Sequence, residues 1–78
     1  MYYVYILLCS DETYYIGHTA NIKQRVNQHT QGLSFSTSYR LPINVKWIGI
    51  FTTREKAINF EKYLKTGSGK AFLRKRFI

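Results

Sequence analysis

The segment Tyr2–Leu8 (Tyr-Tyr-Val-Tyr-Ile-Leu-Leu) is apolar or aromatic at every position and has no polar face. It is too short for an ordinary helix and rich in β-branched and aromatic residues, so it reads as a β-strand covered on both faces. That requirement constrains the rest of the chain, because other strands must flank this one and other elements must pack above and below it. In a chain of 78 residues, one domain has to supply them all, since two would each fall short of a self-sufficient core. The expected unit is therefore a single domain over residues 1–78.

Ser10-Asp11-Glu12-Thr13 is a polar break short enough to favour an antiparallel hairpin, with Tyr14–His18 as its second strand. Thr19 and Asn21 are both suitable caps for a helix running to about Thr30 and ended by Gly32. Ser34–Asn44 is polar with aromatic islands and holds Pro42, the only proline, which predicts a loop. Val45–Phe51 predicts a third strand. Thr52 and Glu55 fit a capping box for a helix to about Lys65. Thr66-Gly67-Ser68-Gly69 then breaks the chain before a short helix from Lys70 to about Lys75. The order β-β-α-β-α-α predicts an α+β fold, a small sheet with helices packed on it.

Twelve lysines and arginines stand against four acids, a net charge of +8. A folded domain with this charge is pre-set to meet a polyanion, nucleic acid before an anionic membrane face, unless the charge serves solubility alone. Eight of the twelve basic residues fall between Arg54 and Ile78. They read either as a face contacting nucleic-acid backbone, with no base specificity, or as a solvated helix surface. Cys9 is alone, which excludes an internal disulfide and a multi-cysteine zinc site. Its apolar surroundings mark a small buried hydrophobe. No stretch approaches the roughly 20 apolar residues of a membrane helix, and the start lacks the basic region of a secretory signal. A cytoplasmic protein without a membrane partner is the expectation.

Some residues sit where packing alone would not put them. In the first helix Ile22 and Val26 define the core side, and Arg25 and His29 border that stripe, either covering apolar surface with their stems or facing a phosphate cleft. In the second helix Ala57, Phe60 and Leu64 form the stripe, and Glu61 borders it. A carboxylate directed inward needs a partner, a base in a salt bridge or a divalent cation. Strand alternation puts Tyr3, Tyr5 and Leu7 on one face, and Tyr15 with Gly17 opposite Tyr14, Ile16 and His18. The tyrosines are compatible with simple packing. Gly17 is less so, since a glycine inside a strand often marks close approach by a ligand or a backbone.

Tyr3-Val4-Tyr5, then Tyr15-Ile16-Gly17, then Arg25, His29 and a late helical Glu61, in that order, resemble the GIY-YIG nuclease superfamily over nearly the whole chain. The segment Phe60–Lys70 also resembles its small stand-alone members, which are similar to the nuclease domain of the bacterial excinuclease C subunit. The resemblance implies a three-stranded antiparallel sheet flanked by helices and metal-dependent endonuclease action on DNA, with weak or structure-based selectivity, in a DNA-repair setting. It implies Tyr5 and Tyr15 as the motif tyrosines, one activating or orienting water. Gly17 would keep the motif open for substrate, Arg25 would contact the scissile phosphate, and His29 would assist proton transfer or phosphate binding. Glu61 would hold one Mg²⁺ or Mn²⁺. His18 stands where similar domains tend to carry lysine, as a replacement base or as a strand cap.

Further candidates for holding substrate are Lys65, Lys70 and the loop residues Tyr39 and Arg40, which stack on or clamp a strand or else anchor the loop. Arg25 suits a phosphate because guanidinium is always charged and forks onto two oxygens. Tyrosine, with an ordinary pKa of about 10, needs nearby cations to act as a phenolate, and Arg25, His29, His18 or the metal would supply them. No asparagine follows Asn59, whereas many family members carry a late one. That departure supports the alternative, a non-catalytic nucleic-acid-binding module on the same fold. Specificity would then come from DNA shape, a homodimer or a larger partner.

Overall fold

A computed structural model describes residues 1–77. The doubly apolar run forms β1 (Tyr2–Leu8), the middle strand of a sheet ordered β2-β1-β3, with β2 at Tyr14–Thr19 and β3 at Asn44–Phe51. Both neighbours pair with β1 antiparallel. Val4, Tyr5, Ile6 and Leu7 are fully buried, as a strand sandwiched on both faces requires.

The helices are α1 (Ile22–Thr30), α2 (Arg54–Leu64) and α3 (Gly67–Phe77). Val4 and Ile6 point toward α2 and α3, where Ala57, Leu64 and Leu73 complete the core. Trp47, Phe51 and Phe60 pack around them, with ring centroids 5.3–5.5 Å from Phe60. Tyr5 points to the opposite face and meets His29 of α1. Register sets the site: Tyr5 pairs with Gly17, Val4 with His18, and Leu7 with Tyr15. Along β3 the register shifts between Ile6, opposite Trp47, and Leu7, opposite Val45.

The sequence-based boundaries need three corrections. The cap of α2 is Thr53, whose side chain accepts from the Lys56 N–H at 3.2 Å. The chain leaves β3 at Phe51 and needs both threonines to turn, so the capping box centred on Thr52 does not form. Glu55 still falls in the first turn, where it complements the helix dipole. Second, α3 begins at Gly67, three residues before the predicted start at Lys70. Thr66 Oγ1 accepts from the Gly69 N–H and Thr66 O from the Lys70 N–H, so the Gly-Ser-Gly run becomes the first turn. A side chain at Gly69 would collide with the backbone of Tyr63 and Leu64, so this glycine permits the tight α2–α3 corner.

Third, the innermost residue of α1 is His29, while Ile22 and Val26 are only half-buried. Asn21 is the cap, accepting from the Gln24 N–H. Gly32 closes the helix at φ 76°, in the left-handed region that favours glycine. Cys9 is buried, and burial pushes its thiol pKa up, consistent with a packing role. Among the described residues no helix is long and apolar enough to cross a membrane.

Candidate active site

The Tyr5 ring lies over Gly17. A Cβ at Gly17 would stand 2.5 Å from Tyr5 Oη and 2.7 Å from Cζ. The room this glycine provides is therefore filled by the phenol, not left open for substrate as the sequence reading expected. Tyr5 Oη lies 3.1 Å from His29 Nε2, and His29 Nδ1 lies 2.7 Å from Thr37 Oγ1. Tyr5, His29 and Thr37 are all fully buried.

Burial, aided by the Arg25 charge, holds the His29 pKa below its ordinary value, so the ring is neutral at pH 7. A neutral ring with Nδ1–H donating to Thr37 accepts the Tyr5 hydroxyl at Nε2; the other tautomer reverses both bonds. Burial, reinforced by Tyr15, pushes the Tyr5 pKa up to about 12 against the opposing pull of Arg25. Desolvation thus outweighs the pull of one guanidinium, and the Tyr5 phenol is held in its neutral form. Tyr15 joins the cluster, its ring centroid 5.0 Å from His29 and 6.2 Å from Tyr5.

Glu61 projects from α2 toward β2. Its Oε1 accepts from His18 Nδ1 at 2.6 Å and its Oε2 from Lys65 Nζ at 2.9 Å, with 17% of the side chain exposed. Burial alone would raise its pKa, but the bonds and charges of Lys65 and His18 prevail, and the carboxyl sits below its usual range. Each oxygen keeps lone-pair capacity beyond its one partner. Among the described residues no three His, Cys, Asp or Glu side chains cluster, so a cation here would have one carboxylate, completed by water and phosphate oxygens. That hard, oxygen-only donor set fits Mg²⁺ or Mn²⁺ and does not fit Zn²⁺.

Tyr5, Tyr15, Gly17, His18, Arg25, Glu61 and Lys65 line one cleft of about 220 Å³ with Ile16. Residues from both faces of β2 take part, so the cleft crosses that outer strand. His29 stands behind Tyr5 as its partner, outside the lining. A neighbouring hollow shares His18 and Arg25 and adds Arg54. Lys70 lines a different cavity, which shares Lys65 with the cleft. Arg40 donates to Thr13 Oγ1 at 2.8 Å and to Ser36 O at 2.6 Å, and its guanidinium lies 5.3 Å from the Tyr39 ring centroid. Arg40 thus ties the loop to the hairpin turn. Neither Tyr39 nor Arg40 lines the cleft. Thr37 went unnoticed in the sequence, where one threonine in a polar loop carries no signal. Arg54 was visible only as part of the basic C-terminal half.

This fold and this cleft place the chain in a class. Residues 1–75 match the family model described as the GIY-YIG catalytic domain, and the chain belongs to the GIY-YIG family of nucleases. Its partner class is accordingly nucleic acid. Over 64 residues it is 36% identical to UPF0213 protein SpyM50708 of Streptococcus pyogenes serotype M5 (strain Manfredo), covering 81% of this chain and 70% of that one. UPF0213 protein SPs0786 of Streptococcus pyogenes serotype M3 (strain SSI-1) matches to the same extent. The solution NMR structure of UPF0213 protein BH0048 from Bacillus halodurans superposes with a TM-score of 0.60 at 30% identity, covering 96% of this chain and 84% of that one.

Proposed function

We propose that this protein, acting as one domain, is a metal-dependent endonuclease that hydrolyses DNA phosphodiester bonds with weak or structure-based selectivity. The observation that carries the reading is the gathering of a guanidinium, a carboxylate and a buried tyrosine–histidine pair around one cleft. Each answers one demand of the reaction. A phosphodiester repels nucleophiles by its own charge, so the non-bridging oxygens must be neutralised, water aligned and the leaving oxygen stabilised.

Arg25 neutralises the non-bridging oxygens through a two-pronged contact. Tyr5 orients the attacking water. As the new O–P bond forms and the bond to the leaving oxygen breaks, the water proton passes to Tyr5 Oη and the Tyr5 proton passes to His29 Nε2. The relay needs no resting phenolate, which suits a phenol whose pKa is near 12 and an imidazole that starts neutral. His29 gains the proton, and the leaving oxygen takes one from solvent. Glu61 would hold the divalent cation, which when bound supplies Lewis-acid stabilisation of the phosphate and leaving oxygen. His18 and Lys65 keep Glu61 ionised and aimed into the cleft.

A second reading, a nucleic-acid-binding module without catalysis, is favoured by one observation: both Glu61 oxygens already have protein partners. Cleavage of labelled single-stranded, duplex, flap and branched DNA with Mg²⁺, Mn²⁺ or EDTA decides between them. Metal-dependent cutting that is lost in Glu61→Gln and Arg25→Ala, with binding retained in Glu61→Gln, is the expected result. Binding without cutting on every substrate and metal would replace the nuclease with the binding module.

A further inference from the structure

A second cavity lies beside the cleft. It measures about 460 Å³, within the roughly 300–1,000 Å³ typical of small-molecule sites. Tyr14 and Ile16 of β2, Leu64 at the end of α2 and Leu73 of α3 form its apolar walls. Leu64 and Leu73 are buried core residues. Three exposed cations, Lys65, Lys70 and Arg74, also line the cavity, together with Thr13 and the exposed carboxylate of Glu12. Tyr15, Ile16 and Lys65 line both this cavity and the cleft, so the two spaces are adjacent.

An apolar hollow whose charged lining is three cations against one carboxylate is a poor home for a phosphate alone, which would lose its water at the apolar walls without gaining donors there. A hydrophobic peptide side chain would leave the excess of cations without purpose. A nucleotide satisfies both parts, because its base is a flat, largely apolar ring and its phosphate is anionic. We propose that this cavity is a subsite for one unstacked nucleobase, belonging to the nucleotide adjacent to the phosphate held at Arg25. The inference rests on the cleft being a nucleic-acid site, and it adds the form in which the strand is held. The base lies against Tyr14 and between Ile16, Leu64 and Leu73, while the outer phosphate meets Lys70 and Arg74. A base can enter only after leaving its stack and its pair. The subsite therefore selects strands with an unpaired nucleotide beside the reacting phosphate, and it tolerates any base, since each presents a flat face.

The test is a methyl and amide NMR titration of the wild-type protein in EDTA. Thymidine 5′-monophosphate is run beside 2-deoxyribose 5-phosphate, which carries the same charge without the base. Shifts at Ile16, Leu64 and Leu73 with the nucleotide alone are expected. Equal shifts with both compounds, or none at these residues, overturn the subsite. Binding of oligothymidylate should exceed that of a wholly abasic strand of equal length by about ten-fold. Leu73→Trp, which fills the cavity, should bring that ratio close to one; a ratio already near one in wild type also overturns the proposal. The cleavage assay is independent. Base-dependent shifts without cutting would keep the subsite and remove the nuclease reading, whereas efficient duplex cutting without such shifts would do the reverse.

Discussion

Tyr5 and Gly17 face each other across β1 and β2, and the phenol of one fills the side-chain space of the other. The glycine is thus part of how the tyrosine hydroxyl comes to rest 3.1 Å from His29 Nε2. A close contact of this kind makes the pair interdependent.

Gly17→Ala should therefore destabilise the protein. The new methyl meets Oη and Cζ of a fully buried ring, and overpacking of this kind costs about 1–3 kcal/mol. Urea denaturation should show that loss, and cleavage should fall because Tyr5 is displaced from His29. Unchanged stability would mean that the ring moves aside freely.

Tyr5→Phe removes the partner of a buried imidazole nitrogen. The loss expected for an unsatisfied buried group is about 1–3 kcal/mol. The substitution also changes the alkaline limb. The Tyr5 pKa is raised from 10.0 to about 12 on folding, so the unfolded chain releases its proton first. The stability linked to this group is complete below pH 10 and declines as pH rises toward 12. Denaturation at pH 9 and pH 11 should show a larger drop in the wild type than in Tyr5→Phe.

His29 governs the acid side. Its folded pKa lies below the ordinary 6.5, so the unfolded chain takes up the proton first as pH falls. Stability from the neutral ring is fully present above about pH 6.5 and is lost as pH drops through the folded value. An NMR titration of the His29 ring should give a midpoint below 6.5. A midpoint at or above it would remove the neutral imidazole on which the proton relay depends.

Glu61→Gln separates charge from shape. His18 Nδ1 and Lys65 Nζ lose an anionic acceptor, yet the Lys65 bond is an exposed i,i+4 contact and such pairs contribute only about 0.3–0.5 kcal/mol. Thermal unfolding should therefore change little. Metal-dependent cleavage should fall by on the order of a hundred-fold or more, since the one carboxylate in the cleft is gone. Isothermal titration with Mn²⁺ should show binding lost in parallel. Cleavage retained in this variant would remove Glu61 from the site.

Much of this arrangement was legible in local pattern. The unbroken apolar run of β1 required a central strand. Alternation grouped Tyr3, Tyr5 and Leu7 in one strand and Tyr15 with Gly17 in the other, which the pairing register then brought to one face. Helical spacing put Glu61 beside the Ala57–Phe60–Leu64 stripe, and the ordered motif residues pointed to the family that residues 1–75 match. These are properties of residue type and near-neighbour geometry, which the chain carries wherever it goes. Tertiary structure decided what depends on distance and on exclusion of water. Thr37 reached His29 through a loop fold that no periodicity encodes, and Glu61 met His18 across 43 residues of chain. The start of α3 followed from a Thr66 cap and a tight corner at Gly69. The pKa values of Tyr5 and His29 moved toward their neutral forms because packing removed water from around them. Desolvation is set by everything that surrounds a group, so only the assembled fold could determine which charges the site retains.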